Sequence, residues 1–248
     1  GGSEGYTGAP TLAARGALRT GAGLVYVGVP REIYPVIAIK CEEAMAFPLP
    51  EEYTAILEKA AACDVAVIGP GLGRHPNTER LARSLLCDLT IPVVLDADGI
   101  NALSGHIDLL DARRGRPTVL TPHEVEFARI GGDLSRGDRE RAAQDFAMAH
   151  GCVLVLKGHR TVTASPEGDV LVNTTGGSGL AKGGSGDVLT GVIASLMAQR
   201  ADALRAAAVG VWLHGRAGDL AEQELTAYSV TPEDVVRKLP DAIREILE

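Results

Sequence analysis

The chain has 248 residues, of which 46% are hydrophobic and 23% charged, a composition ordinary for a globular protein and unlike that of a disordered one. That length favours one large α/β domain with a substantial core. The formal net charge of −8 argues against a nucleic-acid or membrane partner, because those surfaces need a basic patch.

Two kinds of segment alternate along the chain. Short β-branched runs, typical of buried strands, occupy residues 24–29, 64–69, 92–96, 117–121 and 152–157. Helical spacing of apolar residues occupies residues 10–20, 51–62, 77–87, 139–150, 188–199, 203–224 and 232–247. Because parallel strands are buried on both faces and are connected by helices, the alternation predicts an α/β fold with a mostly parallel sheet.

A β-hairpin is predicted in the second half of the chain. Residues 161–165 and 170–173 alternate apolar and polar side chains around the turn Pro166-Glu-Gly-Asp169. We expect this hairpin to add an antiparallel edge to the sheet. No linker or repeat divides the sequence, so we expect a single domain over residues 1–248.

Cysteine usage and targeting signals bear on location. The four cysteines are single and widely spaced, which predicts reduced core thiols and no metal site: Cys41, Cys63, Cys87 and Cys152. No apolar run reaches transmembrane length, and the N-terminus lacks the features of a signal peptide. We expect a cytoplasmic protein.

The segment from Gly176 to Asp187 is dense in glycine and runs directly into the apolar residues 188–193. Glycine lets the backbone approach a phosphate closely, and the free amides at a helix start carry partial positive charge. The segment therefore predicts an anion cradle that opens a helix, with Asp187 at its mouth. A glycine-rich loop with an aspartate cap is the alternative, but it explains Asp187 and not the density of glycine.

Residues with special chemistry follow each predicted parallel strand, in the segments 69–73, 96–101, 121–126 and 157–161. The carboxyl ends of parallel strands share one edge of a sheet, and ligands bind in the crevice outside that edge. We expect these four segments and residues 183–187 to meet in one crevice.

Two common nucleotide motifs are excluded by the same residues. The segment 71–76 begins like a dinucleotide fingerprint but lacks its third glycine and carries Pro76 where a helix should pack on the sheet. The segment 183–187 has no lysine followed by serine or threonine, so it is not a P-loop. Phosphate binding would rest on backbone amides.

Seven motifs, in this order, resemble the NAD(P)H-hydrate dehydratases, the carbohydrate-kinase-related YjeF C-terminal family of the ribokinase-like superfamily. The motifs are Gly1-Gly-Ser-Glu-Gly-Tyr-Thr-Gly-Ala9, Gly16-Ala-Leu-Arg-Thr-Gly-Ala-Gly23, Gly69-Pro-Gly-Leu-Gly73, Asp96-Ala-Asp-Gly-Ile-Asn101, Thr121-Pro-His123 with Glu126, Lys157-Gly-His-Arg-Thr161 and Gly183-Gly-Ser-Gly-Asp187. The resemblance spans nearly the whole chain. It implies a three-layer α/β/α sandwich of the ribokinase-like type around a mostly parallel central sheet.

The resemblance also implies an activity in metabolite repair. It implies dehydration of the S-form of NADHX or NADPHX, the hydrated nucleotides, to NADH or NADPH, with ADP (or ATP) consumed and AMP (or ADP) and phosphate released. Asp187 would be the catalytic base, and the amides of Gly184, Ser185 and Gly186 would hold the transferring phosphoryl group. Mg²⁺ would offset the phosphate charge through water and acids, without a dedicated protein cage.

Further site residues follow from the motif match. Ala9, Gly73 and His123 would contact the hydrated nucleotide together with Asp187. The nucleotide co-substrate would be bound by Lys157, Gly158, His159, Arg160, Thr161 and Gly186. The alternatives are that His123 is only a turn residue and that Lys157 and Arg160 are solvated cations at a strand end.

Several polar residues have two readings. Glu126 matches an acid near magnesium, but it also suits the first turn of a helix, where its charge favours the dipole. Asp96, Asp98 and Asn101 form an acidic turn that could brace the site or position water on magnesium, whereas a helix N-cap is the simpler account of Asp98 alone. Two residues of a later helix, Trp212 and His214, are expected to pack in the core.

The chain departs from the family pattern at three places. Its opening Gly1-Gly-Ser matches the end of the first strand in relatives, so we expect a fragment that lacks this strand, unless those residues are a cloning remnant. The missing part could include a fused epimerase for the two hydrate forms. Glu124-Val125 stands where relatives have Pro-Gly, and Gly177 where they have Asn.

Two rival functions remain. A small-molecule kinase of the same fold, acting on hydroxyethylthiazole or hydroxymethylpyrimidine, would share the cradle and its aspartate. A nucleotide-sensing module without turnover is the second rival, and Asp187 argues against it. The segments 6–10, 16–21 and 121–123 favour the dehydratase. The resemblance also implies a homotetramer and a preference for ADP.

Overall fold

The strands form two sheets in the computed structural model, which describes residues 1–248. The larger sheet has six strands, in the order β3 (Ala66–Ile68), β4 (Val93–Leu95), β5 (Thr118–Leu120), β6 (Val153–Leu156), β7 (Val162–Ala164) and β8 (Val170–Val172). Strands β3 to β6 are parallel, and β7 and β8 add an antiparallel hairpin. The predicted parallel sheet and its antiparallel edge are confirmed.

The smaller sheet lies at the start of the chain. It pairs β1 (Tyr26–Val29) with β2 (Met45–Pro48) in parallel, through helix α2 (Tyr34–Lys40). The sequence analysis expected residues 24–29 in a parallel sheet with the other strands, but they lie outside the six-stranded sheet. It also missed α2 and β2, because each is too short for a clear period and β2 ends on a proline.

The remaining helices follow the predicted pattern with small shifts at their ends. They are α1 (Gly8–Arg19), α3 (Tyr53–Ala61), α4 (Pro76–Asp88), α5 (Asp98–Asn101), α6 (Glu124–Arg129), α7 (Arg139–His150), α8 (Ser185–Ala198), α9 (Ala203–Leu225) and α10 (Pro232–Leu247). The short helices α5 and α6 are additional to the helices predicted from spacing, although a helix start was an alternative for Asp98 and for Glu126. None of the helices combines the length and the apolar character needed to cross a bilayer.

The large sheet is buried on both faces by different helices. Side chains of a strand alternate between its faces. On one face, Leu95, Leu120 and Leu154 share a core cluster with residues of α4 and α7. On the other face, Val94 and Val119 share a cluster with residues of α8 and α9. The result is the three-layer α/β/α arrangement that the family resemblance implied.

Helices α1 and α8 are held together through glycine. A Cβ added to Gly191 would overlap the carbonyl oxygen of Ala13, and one added to Gly16 would lie 2.5 Å from the carbonyl oxygen of Val188. No side chain fits between the two backbones at these points. Because α8 begins with the predicted anion cradle, this contact fixes where the cradle stands relative to α1.

An apolar cleft of about 420 Å³ separates β1 from β3. Its walls include Val25, Val27, Val65 and Val67. At one end the first two residues join the two sheets, since the Gly1 amine donates to the Gly28 carbonyl (3.1 Å) and the Gly2 amide donates to the Pro70 carbonyl (2.9 Å).

The glycine contact between α1 and α8 generates a stability prediction. Gly191→Ala should destabilise the protein by about 1–3 kcal/mol, because the added methyl group must push two helix backbones apart. Gly23→Ala is the control, since a Cβ there meets no atom within 4 Å and the backbone is not left-handed. Urea denaturation of both variants measures the difference. Equal stability of the two variants would show that the helix spacing is not set by this contact.

Candidate active site

The segments that follow β3, β4, β5 and β6 meet at one edge of the sheet. The Gly73 amide donates to Asp98 Oδ2 at 2.9 Å, which joins the first two segments. The backbone of His123 pairs with that of Lys157, which joins the last two. Lys157 Nζ then reaches back to Asp96 Oδ1 at 2.7 Å. The structure therefore places all four segments around one crevice.

The N-terminus of α8 closes this crevice. Its N-cap, Gly184, has φ of +99°, and a Cβ there would lie 2.7 Å from Leu12 Cδ1, so only glycine fits. The amides of Gly184, Gly186 and Asp187 have no partner within the chain, whereas the Ser185 amide donates to the Lys182 carbonyl at 3.2 Å. The sequence analysis assigned the Ser185 amide to the anion hole, but that amide is already engaged. The free donors are those of Gly184, Gly186 and Asp187.

Asp187 lies in the first turn of α8, beside the free amides. Burial and the neighbouring Asp96 carboxylate together raise the pKa of its carboxyl group to about 7, against the opposing effect of the Lys157 ammonium. A carboxyl group with this pKa is partly ionised at neutral pH and can accept a proton efficiently there. The position and the ionisation of Asp187 both suit a general base.

A partly buried ion pair, between Lys157 and Asp96, lies beneath this first turn. Asp96 is 1% exposed, and its second oxygen, Oδ2, accepts a hydrogen bond from Thr190 Oγ1 at 2.7 Å. Burial opposes the charge of Lys157, but Asp96 and Glu126 outweigh it and raise the pKa of the ammonium. Ala97, the residue after Asp96, has φ of +47°, which is unusual for a residue with a side chain. The chain is therefore strained where it turns from the ion pair into α5.

His123 and Glu126 form a capping box at the start of α6. His123 Nδ1 accepts hydrogen bonds from the amides of Val125 and Glu126, and Glu126 Oε2 accepts one from the His123 amide at 2.9 Å. Glu126 is buried and lies 4.0 Å from Lys157 Nζ, whereas the His123 side chain is 52% exposed. The contacts of Glu126 are those of a residue at a helix start, and the imidazole of His123 is half exposed.

Ala9 and Gly73 lie on the opposite wall. A Cβ added to Gly71 would lie 3.0 Å from the Ala9 methyl group, so α1 packs directly on the segment 69–73. Ser3 Oγ donates to the Gly71 carbonyl at 2.8 Å and steadies this wall. Asp98 begins α5 and does not cap it, contrary to the simpler expectation, because its carboxylate is taken by the Gly73 amide and by Asn101.

The predicted nucleotide segment, Lys157 to Thr161, is held by a residue that the sequence analysis missed. Arg139, at the start of α7, donates to the carbonyls of His159 (2.8 Å), Leu156 (3.2 Å) and Lys157 (3.2 Å). The segment itself is mostly exposed, and Thr161 Oγ1 donates to the Gly158 carbonyl at 3.1 Å. An arginine in the first turn of a helix is unfavourable, because its charge opposes the helix dipole. The unusual position of Arg139 was therefore the sequence signal that could have identified it.

The fold and the site were compared with known proteins. A family model described as NAD(P)H-hydrate dehydratase matches residues 1–241. The bifunctional NAD(P)H-hydrate repair enzyme Nnr of Moorella thermoacetica is 44% identical over 260 residues, covering 100% of this chain and 49% of its own. The ADP-dependent (S)-NAD(P)H-hydrate dehydratase of Neisseria meningitidis serogroup B is 39% identical over 229 residues, covering 90% of this chain and 76% of its own. The chain spans about half the length of the bifunctional relatives.

Solved structures agree with the sequence relatives. The ADP/ATP-dependent NAD(P)H-hydrate dehydratase of Bacillus subtilis, co-crystallised with ATP and Mg²⁺, matches with a TM-score of 0.80 at 31% identity, over 98% of this chain and 87% of its own. A hydroxyethylthiazole kinase protein of Pyrococcus horikoshii matches with a TM-score of 0.62 at 15% identity, over 94% of this chain and 91% of its own, which shows a shared fold alone.

The fold and the cradle define a ribokinase-like α/β protein, with its site at the carboxyl edge of the sheet and at the N-terminus of α8. The family model that matches residues 1–241 then selects one family within this class of proteins. The chain belongs to the NAD(P)H-hydrate dehydratase family.

The raised pKa of Asp187 generates a pH prediction. Between the ordinary value of 3.8 and about 7, the folded protein retains a proton that the unfolded chain releases, so Asp187 lowers stability as pH rises through this window. Asp187→Asn removes the charge and should become progressively more stable than the wild type from about pH 4 to about pH 7. Urea denaturation across this range measures the trend. Asp108→Asn, at an exposed position, is the control, and a difference for Asp187→Asn that does not vary with pH would contradict the prediction.

Proposed function

We propose that this chain dehydrates the S-form of NADHX or NADPHX to NADH or NADPH, consuming ADP or ATP and releasing AMP or ADP and phosphate. The observation that carries the proposal is the Asp187 carboxyl group, with a pKa of about 7, beside three free amides at the N-terminus of α8. The family match and the named activities of the relatives from Neisseria and Bacillus support it.

The proposed reaction has two steps. In the first, the hydroxyl oxygen of the substrate ring attacks the terminal phosphorus of the nucleotide, and the bond from that phosphorus to its bridging oxygen breaks. The Asp187 carboxylate accepts the hydroxyl proton. The free amides of Gly184, Gly186 and Asp187 stabilise the charge on the transferring group. In the second, the lone pair of the ring nitrogen expels phosphate, and the neighbouring ring carbon loses a proton to the released phosphate, which restores the double bond.

Substrate contacts are proposed from the motif match. Ala9, Gly73 and His123 would contact the hydrated nicotinamide nucleotide. The exposed imidazole of His123 supports its role, since the nitrogen that caps α6 leaves the ring edge accessible. The nucleotide co-substrate would lie along Lys157, Gly158, His159, Arg160, Thr161 and Gly186.

The residues of the crevice fit a magnesium ion carried in with the phosphates. Four carboxylates, from Asp96, Asp98, Glu126 and Asp187, act on a space that holds one lysine ammonium, so a polyphosphate needs a cation to enter. No group of three histidine, cysteine or acidic residues is arranged to hold a metal. Phosphate oxygens and water would therefore supply most ligands, with Glu126 as the protein's contribution. The ion would supply charge neutralisation of the phosphates.

We also propose a domain organisation and an assembly for this protein. Residues 1–248 would form one domain, and half-length coverage of the bifunctional relatives supports a fused epimerase as partner. The cleft between β1 and β3 supports a further strand before Gly1, because it is apolar and bordered by two strand edges. We further propose that the protein is a homotetramer located in the cytoplasm.

Recovery of dihydronicotinamide absorbance from hydrated NADH tests the activity. With Mg²⁺ and ADP or ATP, the wild type should restore the S-form, and Asp187→Asn should lose about 10²–10⁴-fold in rate because the hydroxyl proton has no acceptor. Asp108→Asn, at an exposed position outside the segments that form the crevice, should retain the wild-type rate.

The same assay separates the rival function. A kinase of this fold would yield a stable phosphorylated alcohol from hydroxyethylthiazole and no dihydronicotinamide absorbance. That result, obtained with folded protein, would show that the chain transfers a phosphoryl group to an alcohol and does not catalyse dehydration. Shared fold with the kinase from Pyrococcus horikoshii is the reason to include this arm.

A further inference from the structure

We infer that Asp96 is a positioning residue, which holds the Lys157 ammonium away from Asp187 and so preserves Asp187 as a base. The inference deepens the proposed function and rests on it for its catalytic meaning. Its structural content, the competition of two carboxylates for one buried ammonium, is independent of the substrate.

Asp96 is placed to act as the fixed partner. It follows β4 directly, it is almost fully buried, and each of its oxygens has a separate hydrogen-bond donor. Lys157 Nζ donates to Oδ1 at 2.7 Å, and Thr190 Oγ1 donates to Oδ2 at 2.7 Å. Because Thr190 lies one turn after Asp187 on α8, Asp96 is tied to the helix that carries the base.

Lys157 is placed to act as the contested cation. Its ammonium forms ion pairs with Asp96 at 2.7 Å and with Glu126 at 4.0 Å, and none with Asp187. It lies directly under the first turn of α8, since a Cβ added to Gly186 would be 3.1 Å from Nζ. The ammonium also favours the ionisation of the neighbouring Asp187, so Asp96 and Asp187 act on the same cation.

The charges around Asp187 determine what such a pairing would do. Asp96, Asp98 and Glu126 oppose the ionisation of Asp187, and Lys157 favours it. Helices α1, α9 and α10 also pack on α8. Among their groups, His214 is buried and neutral because burial lowers its pKa to about 4, and Arg15 pairs with Glu233.

Loss of the Asp96 charge therefore acts on Asp187 in one direction. It removes a negative neighbour and frees Lys157, and both changes favour the ionised carboxylate. A carboxylate paired with an ammonium is a weaker base, so the proton of the substrate would transfer less readily. The bond between Asp96 and Lys157 thus keeps the proton affinity of Asp187 in the neutral range.

The direct test is ¹³C NMR titration of the aspartate carboxyl groups in the full chain, with the Asp187 signal assigned by its loss in Asp187→Asn. Asp96→Asn should move the Asp187 titration to lower pH by about one pH unit or more. Asp98→Asn is the matched control, because it removes one nearby negative charge and leaves the partner of Lys157 in place. Its shift should be clearly smaller.

A second variant guards against misfolding of the first. Lys157→Met removes the contested cation and should move the Asp187 titration to higher pH. An unchanged titration in Asp96→Asn, a shift no larger than that of Asp98→Asn, or an unchanged titration in Lys157→Met would each overturn the inference.

Activity provides the second readout. In the dehydration assay, the acid limb of the rate profile of Asp96→Asn should move to lower pH along with the NMR titration, with a lower plateau. An acid limb that stays in place despite a shifted titration would overturn the catalytic part of the inference. Absence of dehydration by the wild type, with the NMR shifts as expected, would reject the proposed function and leave the positioning of Lys157 supported.

Discussion

The placement of the α8 N-terminus is the constraint on which the site depends. Free amides bind an anion only if no side chain stands between them and the crevice, and only if the helix cannot move away. Glycine at positions 184 and 186 removes the side chains. The contact of Gly191 with the α1 backbone and the bond from Thr190 to Asp96 fix the helix from two sides. The same few residues therefore create the cradle and hold it in place.

This placement has an energetic consequence for the whole molecule. A buried carboxyl group at Asp187 and a partly buried ion pair beneath it are both costly to desolvate, and the left-handed backbone at Ala97 adds strain. The apolar layers on both faces of the large sheet supply the stability that offsets these costs. A rigid sheet is also what holds the ends of β4 and β6 at the right separation for the ion pair.

Much of this architecture was predictable from local patterns. The β-branched runs located the five strands β1, β3, β4, β5 and β6, and the turn at residues 166–169 located the hairpin, because each signal lies within a few neighbouring residues. The sequence also predicted Asp187 and the glycines of the cradle as site residues, because they lie close together in the chain. The pairing of Asp96 with Lys157 was not predicted, since it joins residues 61 positions apart and depends on the strand order β4-β5-β6. The hydrogen bonds from Arg139 to the segment after β6 were not predicted either, because they join separate elements of the chain.

An acidic chain that is proposed to bind polyphosphates needs an explanation, and the geometry of the site offers one. With a net charge of −8 the protein does not attract anions over its surface, and its one buried lysine in the crevice is committed to Asp96. Backbone amides attract phosphate without adding net charge. Binding by amides and proton transfer by a carboxylate can thus coexist within one helical turn.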